Sequence, residues 1–163
     1  MNKHDVYEAV TAALLSRYET AKWAAKQAHD AATDEESVAE NKYDTFGLEA
    51  SYLAHGQSKR VLECENEWHC FNKKSPILFS EGNAVELWGL VSLVRANSKS
   101  AAEKHFFISP CAGGLSVEMT NQTVYLVTPS SPVGRTLISK YVGDEVELLQ
   151  NGQVMRYEIL NLV

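Results

Sequence analysis

Proline is missing from the chain until Pro76, cysteine is sparse, and no apolar run is long enough to span a bilayer. Each absence excludes something. With no proline before Pro76, nothing breaks a helix in that half. The cysteines are Cys64, Cys70 and Cys111, an odd set. That excludes a disulfide framework and points to a reducing compartment. The opening stretch "MNKHDVYEAV" lacks the apolar core of a signal peptide, so the expected location is the cytoplasm, with no membrane partner. Positive charge is also short: 15 Lys and Arg stand against 21 Asp and Glu, for a net charge of −6. A chain so charged does not capture free nucleic acid broadly. What remains, 45% hydrophobic and 22% charged residues, is the composition of an ordinary globular protein. The length suits one or two domains.

The first half repeats with a helical period. Tyr7, Leu14, Ala21 and Ala28 recur at seven-residue intervals, as do Tyr18, Ala25 and Ala32. Interleaved at three and four, the two series form a coiled-coil seam, with Thr11 as its polar exception. The rhythm returns in Ala50, Gln57, Cys64 and Phe71 and in Ala54, Val61 and Trp68. Two such helices joined by a short turn must lie antiparallel. From Tyr7 to Ala32 the seam makes a prong of roughly 40 Å. Alanine lines it near the turn, whereas Leu14, Trp68 and Phe71 lie far from it. Small seam residues let helix axes approach closely, so the prong is expected to be slimmest at its tip. Alanine is also simply a good helix former, and the bias fits either reading. Cys64, His69 and Cys70 lack the helical spacing of zinc ligands; Cys64 belongs to the packed face.

At "NKKSPILFSEGN" the period changes. Beyond it come strand-like runs: "AVELWGLVSLV", "KHFFIS", "LSVEM", "TVYLVT", "DEVELL" and "QVMRYEIL". Gly113-Gly114 and Asn151-Gly152 mark turns, the second a hairpin signal. One helix interrupts the strands. Ser131 caps it, Pro132 opens it, and it is expected to run to about Tyr141. The expected fold is α+β: an antiparallel helical hairpin over residues 1–75 and a small antiparallel sheet with one helix over 76–163.

Between the two helical patterns lies "DEESVAENKYDTFG", which crowds Asp34, Glu35, Glu36, Glu40 and Asp44 against one lysine, Lys42. A solvated turn explains acids near the start of a second helix, as for Asp44 and Glu49. Carboxylates at the end of a narrow rod can also reach a buried catalytic centre. Mg²⁺ takes oxygen ligands, typically one or two carboxylates with phosphate and water.

A helical hairpin with an acidic tip, followed by a β-rich domain, resembles the Gre transcript-cleavage factors (GreA/GreB) of bacterial RNA polymerase. The C-terminal stretch "SPVGRTLISKYVGDEVELLQNGQVMRYEILNLV" follows the family's order of Ser-Pro, short helix, Gly-Asp and closing hairpin. At the tip, Glu40-Asn41 and Tyr43 are similar to the family's Asp-x-x-Glu-Asn-x-x-Tyr. The resemblance implies an FKBP-like C-terminal domain that docks on RNA polymerase, here through Ser130, Ser131 and Pro132. It implies a hairpin that enters the secondary channel as a monomer. Its tip acids would share a Mg²⁺ with the polymerase, so that the polymerase cleaves backtracked RNA at the 3′ end. The chain would then be an accessory factor, not itself an enzyme. Glu40 is the main candidate. The family's first acid lies three residues before that Glu, where this chain has Ser37, so Glu36 or Asp34 takes the second role. Before Ser-Pro the family has Asp or Asn, and this chain has Ser130.

Other readings stand beside this one. A channel regulator that does not support cleavage fits the altered tip spacing. A prolyl isomerase or chaperone would use Trp88, Phe106, Phe107 and Tyr125 as an apolar pocket. A plain interaction module would pair its coiled coil with another protein. Lys22, Lys26, Lys59 and Arg60 are candidates for RNA contact, although lysines on a solvated helix face are common.

Overall fold

The structure, a computed structural model, describes residues 1–34, 45–80, 82–96, 103–120 and 122–163. Its contacts divide the chain into two units: Thr11–Lys73, and Met1–Val10 together with Lys74–Val163.

The first unit is built by α1 (Lys3–Thr33) and α2 (Phe46–Asn72). Tyr18 bonds Glu65 at 3.1 Å and stacks on Trp68 at 5.9 Å. Further along α1, Lys22 and Ala25 share a surface hollow with Ser58 and Val61. Contacts run backward along α2 as they run forward along α1, so the helices are antiparallel. Leu14, Ala21, Ala28, Cys64 and Phe71 are buried, and the other seam residues within the unit are half-buried. The three-and-four spacing predicted from sequence is thus the covered face of both helices. Full burial of a side chain such as Phe71 is worth about 1.5–3 kcal/mol.

The second unit is a six-stranded sheet: β1 (Leu90–Arg95), β2 (Lys104–Ile108), β3 (Ser116–Met119), β4 (Gln122–Val127), β5 (Glu145–Gln150) and β6 (Gln153–Leu162). The helix α3 (Pro132–Leu137) lies between β4 and β5 in sequence. The strand order is β3-β4-β2-β1-β6-β5. The sheet is mixed rather than antiparallel throughout, because β2 and β4 pair in parallel. After β2 the chain turns through residues 109–114, with Ala112 and Gly114 at positive φ. It then runs outside as β3 and returns as β4 between β3 and β2. That return enters the sheet in the direction of β2.

Two elements are shorter than the sequence suggests. The run Ala84–Val94 is strand only from Leu90 onward. Trp88 has φ 75°, and Gly89 N–H turns back to the Glu86 carbonyl at 3.0 Å. α3 stops at Leu137 rather than near Tyr141. Ser139 has φ 64° and donates to the Val85 carbonyl at 2.8 Å, while Val85 N–H donates to Lys140 at 2.7 Å. Those two bonds take backbone groups that another helical turn would need. The Asn151-Gly152 turn has φ 50° and 77°, both positive, as the expected tight hairpin requires.

Successive residues of a strand face opposite sides of the sheet. On one side Val91, Leu93, Phe106, Ile108, Tyr157 and Ile159 form a core with Leu137 of α3. On the other, Phe107 meets Trp88 edge-on at 6.3 Å, and Tyr7 from the Met1–Val10 segment packs on both rings. Lys3 joins the same unit. Its ammonium donates to the carbonyls of Ile77 and, at 2.7 Å, Val163, and it lies 4.5 Å from the Phe79 ring centre. Burial pulls its pKa down to about 8.

Candidate functional site

Residues 128–134 form the turn singled out by the Ser-Pro motif. Ser131 is extended, with φ −68° and ψ 155°, and Pro132 follows as the first helical residue. The Ser131 hydroxyl accepts from Gly134 N–H at 3.0 Å and donates to the Thr128 carbonyl at 2.7 Å. A side-chain cap of this kind satisfies one of the orphan donors at a helix start. The backbone is drawn in so far that a Cβ on Gly134 would meet the Thr128 oxygen at 1.9 Å. Only glycine fits there. Ser130 and Pro132 remain exposed, and the Ser130 hydroxyl pairs with that of Thr128 at 3.1 Å. The three expected docking residues therefore share one turn. The cap fixes it, and its outer surface stays open.

Beside this turn lies a groove of about 700 Å³, lined by Phe106, Tyr125, Pro132, Val133 and Leu149 among others. An adjoining hollow of about 470 Å³ shares Phe106, Tyr125, Val133 and Leu149 and ends at Lys104 and Gln150. Lys104 donates to Gln150 at 2.8 Å, and the Tyr157 hydroxyl donates to the same oxygen at 3.0 Å. Strands β4 and β5 stand far apart in the sheet order, yet both contribute walls, so the sheet curls around α3. Tyr125 is 46% exposed and Leu149 73% exposed, which leaves apolar surface open along the groove.

Sequence reasoning missed Gly134, Val133 and Leu149. The double leucine Leu148-Leu149 was the available signal, because it breaks the alternation of β5: Leu148 enters the core while Leu149 stays outside. The proposed isomerase pocket does not form as imagined. Trp88 and Phe107 pack with Tyr7, and only Phe106 and Tyr125, 6.0 Å apart, line the groove. Neighbours on one strand cannot share a face.

The acidic stretch is described only at its margins. Asp34 is exposed just after α1, and Thr45, bonded to Glu49 at 2.9 Å, precedes α2. Glu36 and Glu40, like the rest of residues 35–44, lie outside the described residues. Among the described residues no group of three or more His, Cys, Asp or Glu side chains is arranged for a metal ion. Asp34 alone falls short of the near-octahedral oxygen set that Mg²⁺ demands. Two of the candidate RNA-contacting cations have acidic partners on their own helix: Lys26 with Asp30 at 2.6 Å, and Arg60 with Glu63 at 3.0 Å. Lys22 lies 5.2 Å from the Tyr18 ring centre. No described helix is long and apolar enough to cross a membrane.

No protein-family model matches the chain, and no curated protein matches it. Among solved structures it is similar to the transcription factor Gfh1, at 15% identity and TM-score 0.41, over 94% of this chain and 93% of that one. The GreA factor homolog Gfh1 of Thermus thermophilus is 18% identical with TM-score 0.39, over 95% of each chain. The transcription elongation factor GreA/GreB from Nitrosomonas europaea is 23% identical with TM-score 0.36, over 47% of this chain and 58% of that one.

Proposed function

We propose that this chain is a transcription elongation factor of the Gre type, with a coiled-coil prong and an FKBP-like docking domain. The observation that carries the reading is the antiparallel pairing of α1 and α2. It sets Asp34 and Thr45, the described residues that flank the acid-rich stretch in sequence, at the opposite end of the helix pair from Thr11 and Lys73. A second feature supports docking: the capped Ser130–Pro132 turn beside an open apolar groove. In this reading the sheet unit binds bacterial RNA polymerase at that turn, as a monomer, and the helix pair enters the secondary channel. Glu40, with Glu36 or Asp34, supplies carboxylates toward a Mg²⁺ held mainly by the polymerase and the backtracked RNA. The chain binds no such ion alone and cleaves nothing alone; it works as an accessory to the polymerase.

The test is RNA shortening in purified backtracked complexes. Wild-type protein accelerates it. Glu40→Gln keeps size and hydrogen bonding but removes the charge, so it spares polymerase binding and loses cleavage on the order of 100-fold. Glu36→Gln and Asp34→Asn, tested separately, identify the second acid. Pro132→Ala weakens polymerase binding about tenfold, or ~1.4 kcal/mol.

The position of Ser37, where an acid is expected, favours a second reading: a secondary-channel regulator that binds polymerase without supporting cleavage. Wild-type protein that binds yet never shortens RNA decides for it.

A further inference from the structure

His105 is 1% exposed, on β2 immediately before the groove residue Phe106. Its Nδ1 lies 2.9 Å from the hydroxyl of Ser92, its directly paired neighbour on β1. Its Nε2 has no hydrogen-bond partner among the described residues. A buried polar atom without a partner is costly, and such groups mark places where a protein stores the capacity to change.

The surroundings define what a proton would do. Val124 of β4 pairs with His105 on the other side and brings no charge. Glu103, on the approach to β2, holds a carboxylate 3.8 Å from Nε2. The amino group of Met1 acts on the ring with the opposite sign. A carboxylate facing Nε2 favours the tautomer with hydrogen on that nitrogen, so Nδ1 accepts from the Ser92 hydroxyl. Adding a proton puts hydrogen on both nitrogens. Ser92 must then turn its hydroxyl around and accept, and its own hydrogen needs a new acceptor in a buried place. At this point β1 is already irregular, for its register against β6 shifts between Ser92 and Leu93. Bulges of this kind re-aim side chains and often adjoin functional sites. Burial, the largest influence on the ring, disfavours its charged form.

We propose that the Ser92–His105 pair is an acid-sensitive latch on the docking groove: protonation of His105 inverts its bond to Ser92 beside the bulge and shifts Phe106 against Tyr125, weakening capture of the polymerase. The coupling is short. His105 and Phe106 are consecutive on β2, their partners on β4 are Val124 and Tyr125, and Phe106 and Tyr125 wall the groove. The proposal rests on the docking reading above, and the experiment separates the two.

The first arm needs no variant and no polymerase. In an NMR titration of the wild-type protein, the ring signals of Phe106 and Tyr125 move with the midpoint of His105. Signals that stay flat while His105 titrates overturn the latch, and so does a His105 that never titrates while the protein is folded. The second arm measures binding to bacterial RNA polymerase from pH 7.5 downward. Wild-type affinity falls up to about tenfold per pH unit below the His105 midpoint. His105→Gln, which keeps hydrogen-bonding atoms but does not titrate, holds its affinity through the same range. Equal losses in wild type and variant overturn the latch. Absence of binding at every pH overturns the docking reading instead, and the NMR arm still decides whether His105 moves the groove.

Discussion

A methyl group on Gly134 has no place to go, because the Thr128 carbonyl oxygen already occupies it at 1.9 Å. Gly134→Ala must push α3 away from the turn, at a cost of about 2–4 kcal/mol, read as a lower midpoint in thermal or denaturant unfolding. Lys3 makes a different prediction. Its pKa is drawn down to about 8 by burial, against an unfolded value near 10.5. Between those values the unfolded chain holds more protons than the folded one. The contribution of Lys3 to stability therefore rises with pH through that window and is constant below it. Unfolding curves should show the wild type gaining on Lys3→Met from pH 8 upward. His105 has the same sign at lower pH. Its lowered pKa means that the unfolded chain takes up its proton at higher pH than the folded chain does, so stability falls as pH drops through the histidine range.

At the scale of elements, the alanine-lined part of the helix pair makes the clearest demand. Ala21 is buried against α2, so Ala21→Leu overpacks the seam. It should cost about 1–3 kcal/mol and broaden the α1–α2 pair, measurable by chemical denaturation and by distances between spin labels on the two helices. This seam was readable in the sequence because a seven-residue repeat, uninterrupted by proline, leaves one solution. The Asn151-Gly152 hairpin was readable because two positive φ angles in a row select those residues. Other features were not. The parallel pairing of β2 with β4 depends on where a returning strand finds a free edge, and local pattern carries no record of that. The end of α3 was hidden because Val85, far away in sequence, claims the backbone of Ser139 and Lys140. The capped turn was legible from Ser131 and Pro132, whereas the groove beside it was not, since Val133 and Leu149 meet only when the sheet curls.

For the whole molecule, residues 1–10 matter more than their place on a long helix suggests. Val6, Tyr7 and Val10 are buried, and Tyr7 covers Trp88 and Phe107. A fragment of residues 77–163 should keep its strands by circular dichroism. It should also melt below the full chain and show red-shifted Trp88 emission, because that cover is gone. The bond from Lys3 to the Val163 carbonyl spans 160 positions of sequence. On a ribosome adding about 5–20 residues per second, roughly 10–30 s separate the birth of its two ends. The helix pair Thr11–Lys73 can assemble during that interval, being complete once Lys73 emerges. The sheet must wait, with Val6, Tyr7 and Val10 still lacking their partners. A nascent chain stalled before β6 should therefore resist protease along α1 and α2 while its later half is digested.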